Sequence, residues 1–172
     1  MDTFEAILTR LEVREFSQEP VPFEQQVKVL EAGRASSSAY NRQPWTFILI
    51  NDKKLLKKVG DLATTGPYIS NSQFAIAVYV DQKNPFHIID GTRAVQNMML
   101  AGWSIGLGSC WVGGIEREKV SHILGAPEEL YLLTIIPFGK PSKKIKGKKN
   151  RKPLNQLAFL NGYGNPLPEK LG

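Results

Sequence analysis

The chain has one cysteine, Cys110, and two histidines, His87 and His122. A lone thiol forms no internal disulfide, and two imidazoles outside any HExxH spacing give a catalytic metal no cage, so no metal-binding residue is assigned. Cys110 reads as a small buried apolar residue. Long apolar runs are missing as well. The stretch "LYLLTIIPF" falls far short of the roughly 20 residues a spanning helix needs. The opening "MDTFEAILTRLEVRE" threads acids through its apolar positions and has no continuous apolar h-region, which argues against a signal peptide. A cytoplasmic protein without a membrane partner is expected. No internal repeat and no dividing linker interrupts the sequence, so residues 1–172 are read as one domain, with an ordinary 42% hydrophobic fraction to build its core.

Acid is absent where the chain is most basic. Residues 140–152, "KPSKKIKGKKNRK", hold eight Lys or Arg and no Asp or Glu, so a net charge of +6 becomes about −2 once that segment is set aside. A duplex-binding protein spreads cations over a face to neutralise several phosphates. One basic loop suits a single anionic ligand equally well, and a solvated loop is the plainest reading.

Apolar spacing predicts the elements. Phe4, Ile7, Leu8 and Leu11 form a helical stripe, as do Phe23, Val27 and Leu30, with Pro22 at a first helical position. "WTFILIN" reads as a strand, "DKKLLKKVGDL" as a helix and "QFAIAVYV" as a buried strand. A long helix from about Pro85 to Ile105, using Ile88, Ile89, Val95, Met98, Met99 and Trp103, ends at "GLG". Strand "SCWVGG", helix "REKVSHIL", strand "LYLLTIIPFG" and a short helix near "LNQLAFL" follow. This order suggests a central sheet with helices on both faces. The tail from Pro153 has no core pattern of its own, and is either frayed or an arm packed on a second subunit.

Several strings invite chemistry. "GWSIG" matches G-x-S-x-G, with Glu116 and His122 following Ser104, yet its surroundings have helical period and offer no strand-to-helix elbow. "GLGSCWVGG" follows a helix and puts Trp111 at the third glycine's place, so it is no dinucleotide loop. It does end in Gly113 and Gly114, where backbone can approach a flat ligand, although a plain turn explains the pair equally well. Arg10 and Arg14, four apart at a helix exit, are spaced to share a cationic face. Surface solvation is the competing explanation.

Taken in order, four segments resemble the nitroreductase-like family of FMN-dependent oxidoreductases. "RLEVREF" (residues 10–16) is similar to its Arg-rich opening, "SSAYNRQPWTF" to its P-S-x-x-N-x-Q-P-W loop, "GWSIGLGSCWVGG" to its long helix ending in G-L-G-S-C-W and a glycine pair, and "KNRKP" to its late basic element. The resemblance implies an α+β fold: a three-layer α/β/α sandwich around a mixed, largely antiparallel sheet, in a homodimer with shared sites and residues 153–172 as an arm toward the partner. It implies FMN as cofactor and NADH or NADPH as electron donor. Arg10, Leu11, Glu12, Arg14, Lys149 and Arg151 would surround the phosphate. Ser37, Ser38, Ala39 and Asn41 of one chain would line the ring held by the other, against Trp111, Val112, Gly113 and Gly114. Chemistry would run through the flavin N5, with no catalytic side chain.

Two positions depart from the family. Glu12 replaces the usual serine, and its carboxylate repels a phosphate unless it turns toward an arginine. Ser37 replaces the usual proline. The side chain at the flavin's N1 edge is left open among Tyr68, Asn71 and Gln73. The expected activity is reduction of a small nitroaromatic or quinone acceptor by ping-pong hydride transfer. Its alternatives are a flavin binder with little turnover and a basic-loop nucleic-acid module.

Overall fold

A computed structural model of the protein describes residues 1–145 and 147–168. Helices α1 (Thr3–Thr9), α2 (Phe23–Arg34), α3 (Lys53–Asp61), α4 (His87–Ser104) and α5 (Arg117–Leu124) surround strands β1 (Trp45–Ile50), β2 (Phe74–Asp81), β3 (Gly108–Ser109) and β4 (Leu130–Gly139). The strands lie in the order β1-β2-β4-β3, and every neighbouring pair is antiparallel. The parallel component is a single bridge from Glu12 to Ser109, where the N-terminal segment joins the sheet.

Strand β2 shows why the sheet has two covered faces. Phe74, Ile76, Val78 and Val80 belong to one core cluster, with Val29 of α2 and Val95, Met98 and Met99 of α4. Ala75, Ala77 and Tyr79 belong to the other, with Leu56 and Val59 of α3 and Val120 of α5. Successive strand side chains point to opposite faces, so a strand buried on both sides reads as one continuous apolar run. A bulge between Val78 and Tyr79 switches the parity of β4, which sends Leu133 and Ile136 to the same face.

Helix α4 lies close against the sheet because glycine faces it. A Cβ on Gly91 would stand 2.7 Å from Val80 Cγ1, and one on Gly102 2.9 Å from Phe138 Cε1. Asp52 caps α3 through the Leu55 N–H at 2.8 Å, and Gly125 closes α5 in the left-handed conformation at φ 63°.

Several sequence expectations are corrected. Helix α1 exists, but Phe4, Ile7 and Leu8 face solvent while Ala6 is its buried residue. Leu11 lies beyond the helix end. In α2 the exposed positions include Phe23 and Val27, whereas Gln26, Val29 and Gly33 face inward, and Pro22 caps the helix rather than opening it. Gln26 tolerates burial because its amide donates to the Val21 carbonyl at 2.9 Å. Ile88 and Ile89 are exposed as well. Periodicity reports a stripe and not what covers it.

"SCWVGG" is a strand only at Ser109. Beyond it the ladder lapses to one bridge, Val112 to Ile135, because the Thr134 hydroxyl takes the Val112 carbonyl at 2.8 Å. Near "LNQLAFL" the chain makes one 3-10 turn, Leu154–Gln156. Lys146 of the basic segment and residues 169–172 of the expected arm lie outside the described residues.

Candidate functional site

Helix α1 stops at Thr9, and residues 10–16 run extended beside β3, anchored by the Val13 N–H on the Ser109 carbonyl at 2.9 Å. Arg10 and Arg14 therefore share no helical face. Extended backbone puts alternate residues on one side, so Val13 is buried while Arg10, Glu12 and Arg14 leave the backbone on the opposite side from it. The tertiary fold then brings the other end of the chain to them. Lys149 Nζ donates to the Ile7 carbonyl. Its ammonium is held below the ordinary lysine pKa by burial first, then by the nearby Arg10 and Arg151, with Glu12 opposing.

Three cations thus crowd around one carboxylate. Glu12 turns to Arg10, Oε1 to Nη2 at 2.8 Å. Arg10 Nη1 is buried without a hydrogen-bond partner among the described residues. An orphaned guanidinium N–H is costly unless an acceptor arrives. On the Lys149 side of the cluster lies a cavity of about 740 Å³, lined by Ile7, Leu11, Trp103, Lys149 and Arg151 and not by Arg10 itself.

Arg14 points elsewhere, to Tyr68 and Cys110. The Tyr68 hydroxyl donates to Cys110 Sγ at 3.2 Å. Burial, reinforced by the thiol, pushes the phenol up to about 12, and burial raises the thiol too, so both are neutral at physiological pH. Among the three candidates for the flavin's N1 edge, Gln73 is spent in the core, its amide donating to the Ser17 carbonyl at 2.8 Å. Asn71 is exposed, and Tyr68 stays beside Arg14.

The glycine pair follows the strand that Glu12 joins at Ser109, with Gly113 four residues of chain, at most ~14 Å, beyond that bridge. A Cβ at Gly113 would meet nothing within 4 Å, whereas at Gly114 it would meet Thr64 Oγ1 at 2.6 Å. The Gly114 N–H donates to Thr65 Oγ1 at 2.8 Å, and Arg117 Nη2 donates to the Gly113 carbonyl at 3.3 Å. The turn is held from both sides while space above Gly113 stays open. Trp111 is half-buried against the core. Val112 is fully buried with its N–H and carbonyl both engaged, so it supports the turn rather than facing a ligand.

Ser37, Ser38, Ala39 and Asn41 are not brought to this cluster. Their loop is tied to the start of α4, where the Ala39 N–H donates to Oδ2 of the fully buried Asp90 at 3.1 Å. The cations gather near the other end, where Trp103 lines the cavity and donates to Thr9 Oγ1 at 3.0 Å. From Asp90 to Trp103 the helix rises about 20 Å at ~1.5 Å per residue. One chain keeps the two halves of the expected site apart.

Sequence reasoning missed Asp90, Thr65 and Arg117, which position these segments. Asp90 was signalled by an acid on the buried face of α4. Thr65 and Arg117 carried no signal, because their partners are backbone atoms, which leave no mark in residue type.

The sequence pattern of the Nitroreductase family matches residues 7–83 and 67–140, which together include every element from β1 to β4. This chain belongs to that family. An Archaeoglobus fulgidus relative, named provisionally as an NADH dehydrogenase/NAD(P)H nitroreductase, is 33% identical over 144 residues, covering 78% of this chain and 83% of its own. The FMN reductase (NADPH) of Bacillus subtilis is 26% identical, over 94% of this chain and 74% of its own. A crystal structure from Parabacteroides distasonis, with the same provisional name as the archaeal relative, superimposes at a TM-score of 0.85 with 32% identity, covering 94% of this chain and 98% of that one. Nitroreductase-family membership accounts for the three-layer α+β architecture. Among the described residues no helix is long and apolar enough to cross a membrane.

Proposed function

We propose that this protein, an FMN-dependent oxidoreductase by family, moves electrons from NADH or NADPH to a small nitroaromatic or quinone acceptor in a homodimer with two shared sites. The observation that carries this reading is the buried, unpartnered Arg10 Nη1 beside Lys149 and Arg151. That donor set fits a phosphate dianion, and the open space above Gly113 fits a planar ring. FMN, when bound, supplies hydride acceptance and donation at its N5.

The residues of this chain bind and orient. Arg10, Lys149 and Arg151 would hold the phosphate, and Glu12, drawn to Arg10, keeps that guanidinium aimed. Thr65 and Arg117 fix the glycine turn, whose backbone would border the ring. No side chain moves a proton, which solvent supplies. A quinone gains two electrons and two protons as the nicotinamide loses a hydride and water supplies the other proton. A nitro group gains the same and loses water, leaving the nitroso compound.

The dimer is supported by two observations. The loop of Ser37 to Asn41 stands at the far end of α4 from the cations, so a second chain is needed to bring it to the ring. Phe4, Ile7, Leu8, Phe23 and Val27 are exposed, as are Leu154, Leu157, Leu160 and Tyr163 of the arm. An apolar surface of that extent marks an interface. The nucleic-acid reading loses ground because Lys143 pairs with Glu15 at 2.9 Å and Lys140 with Glu19, which removes cations from any continuous stripe.

The test is a flavin titration followed by anaerobic reduction. Addition of FMN is expected to give a shifted flavin spectrum, and NADH or NADPH to bleach it. A sample that takes up no FMN rejects the proposal. Binding without bleaching by either nucleotide favours the flavin-binding member with little turnover.

A further inference from the structure

The loop between α2 and β1 carries left-handed backbone at three residues that are not glycine: Tyr40 at φ 52°, Asn41 at φ 53° and Gln43 at φ 48°. Asparagine tolerates this conformation, but in tyrosine and glutamine the Cβ crowds the backbone, and such geometry lasts only where neighbours over-determine it. Here they do. The Ala39 N–H is held by Asp90, the Gln43 N–H donates to Ser38 Oγ at 2.9 Å, and Gln43 Nε2 donates to the Asn41 carbonyl at 3.2 Å.

What the strained loop presents is Tyr40, 84% exposed, with the Arg42 guanidinium 5.4 Å from its ring centroid. An aromatic ring left in water adds little to folding, so strain that displays one calls for another explanation. Arg34 is taken by Glu31, and Asp90, which holds the loop at Ala39, is fully buried and paired with Arg93 at 3.1 Å. Arg42 is the cation this loop offers to a ligand.

We propose that Tyr40 and Arg42 form an acceptor platform that selects planar aromatic acceptors bearing a carboxylate. The proposal rests on the reading that this loop lines the flavin of the partner subunit. One ring face of Tyr40 stacks on the acceptor, and the guanidinium pairs with its carboxylate in the fork geometry arginine favours. Both residues bind and orient; electrons and protons follow the balance given above.

The test compares kcat/KM for para-nitrobenzoate and its neutral analogue para-nitrobenzamide on the FMN-loaded full chain. The wild type is expected to prefer the carboxylate. Arg42→Glu is expected to lower the benzoate-to-benzamide ratio about tenfold, mainly through KM, with Arg42→Gln intermediate. Tyr40→Ala is expected to weaken both acceptors alike, and Tyr40→Phe to restore them. FMN binding is read on every variant and is expected to match wild type in Arg42→Glu and Arg42→Gln, whose position lies outside the Ser37–Asn41 segment that lines the ring, which separates acceptor recognition from folding. An unchanged ratio in Arg42→Glu, or a wild type indifferent to the carboxylate, overturns the platform. A wild type that binds no FMN instead brings down the parent reading, and the platform with it.

Discussion

Arg10 shows how much one side chain decides. One terminal nitrogen is neutralised by Glu12 and the other is buried with no acceptor, so half of the guanidinium is committed to the fold and half is left for an anion. Arg10→Ala is expected to weaken FMN binding by about tenfold or more, the range of a hydrogen bond to a charged group. Arg14 faces Tyr68 and Cys110 but stands within the field of Glu12, so Arg14→Ala should weaken it less than Arg10→Ala and by more than Lys143→Ala, because Lys143 is exposed and spent on Glu15. Titration of each variant by flavin fluorescence measures all three; equal losses would mean that the basic segment traps anions diffusely. Lys149 adds a pH dependence. Its apo pKa is lowered, and a bound dianion favours the ammonium and so raises it. Binding must then take up a proton between the two values, and FMN affinity must fall as pH climbs through that window, below and toward the ordinary lysine value of 10.5. Calorimetry in buffers of different ionisation enthalpy reads the proton uptake, which Lys149→Met should abolish.

Among the elements, α4 does the most to arrange the site, because one end holds the Ala39 loop and the other lines the cationic cavity. It can sit against β2 only where side chains are missing. Gly91→Ala places a methyl 2.7 Å from Val80 Cγ1 and 2.8 Å from Leu133 Cδ2, with little room to yield between two buried neighbours. Urea unfolding is expected to show a loss of about 1–3 kcal/mol, the usual cost of overpacking. The two glycines of the turn should separate cleanly. Gly114→Ala collides with Thr64 and Thr65 and should lower stability, whereas Gly113→Ala places its methyl in open space and should leave stability alone while reducing FMN affinity. Thermal unfolding and flavin titration of the pair distinguish the two effects.

At the scale of the whole molecule, the exposed stripes of α1 and α2 are the feature a single chain leaves unfinished. Leu8→Glu with Phe23→Glu is expected to shift the light-scattering mass from dimer to monomer and to cost FMN binding at the same time, since the loop from Ser37 to Asn41 would then have no ring to line. A monomeric variant that still binds FMN at wild-type affinity would contradict the shared site.

Much of this was legible in the chain itself. Local spacing is written by backbone geometry, so five helices and the long strands could be read from periods of 3.6 and 2, and the order of four motifs was enough to place the family. The direction of burial was not legible: Phe4, Ile7, Leu8, Phe23 and Val27 carry a core pattern yet stand exposed among the described residues. Nor was the partition of the site. Arg10 and Arg14 looked equivalent by spacing, yet the end of α1 at Thr9 and the bridge from Glu12 to Ser109 send one toward Lys149 and the other toward Tyr68 and Cys110. The sequence alone determined which residues were available for phosphate, ring and strand, because residue chemistry and local period are properties of the chain. Only the tertiary structure decided which of them meet. Contacts across 142 positions, such as Lys149 on Ile7, depend on how β3 and β4 close the sheet and on a helical stretch of about 20 Å that separates one half of the site from the other.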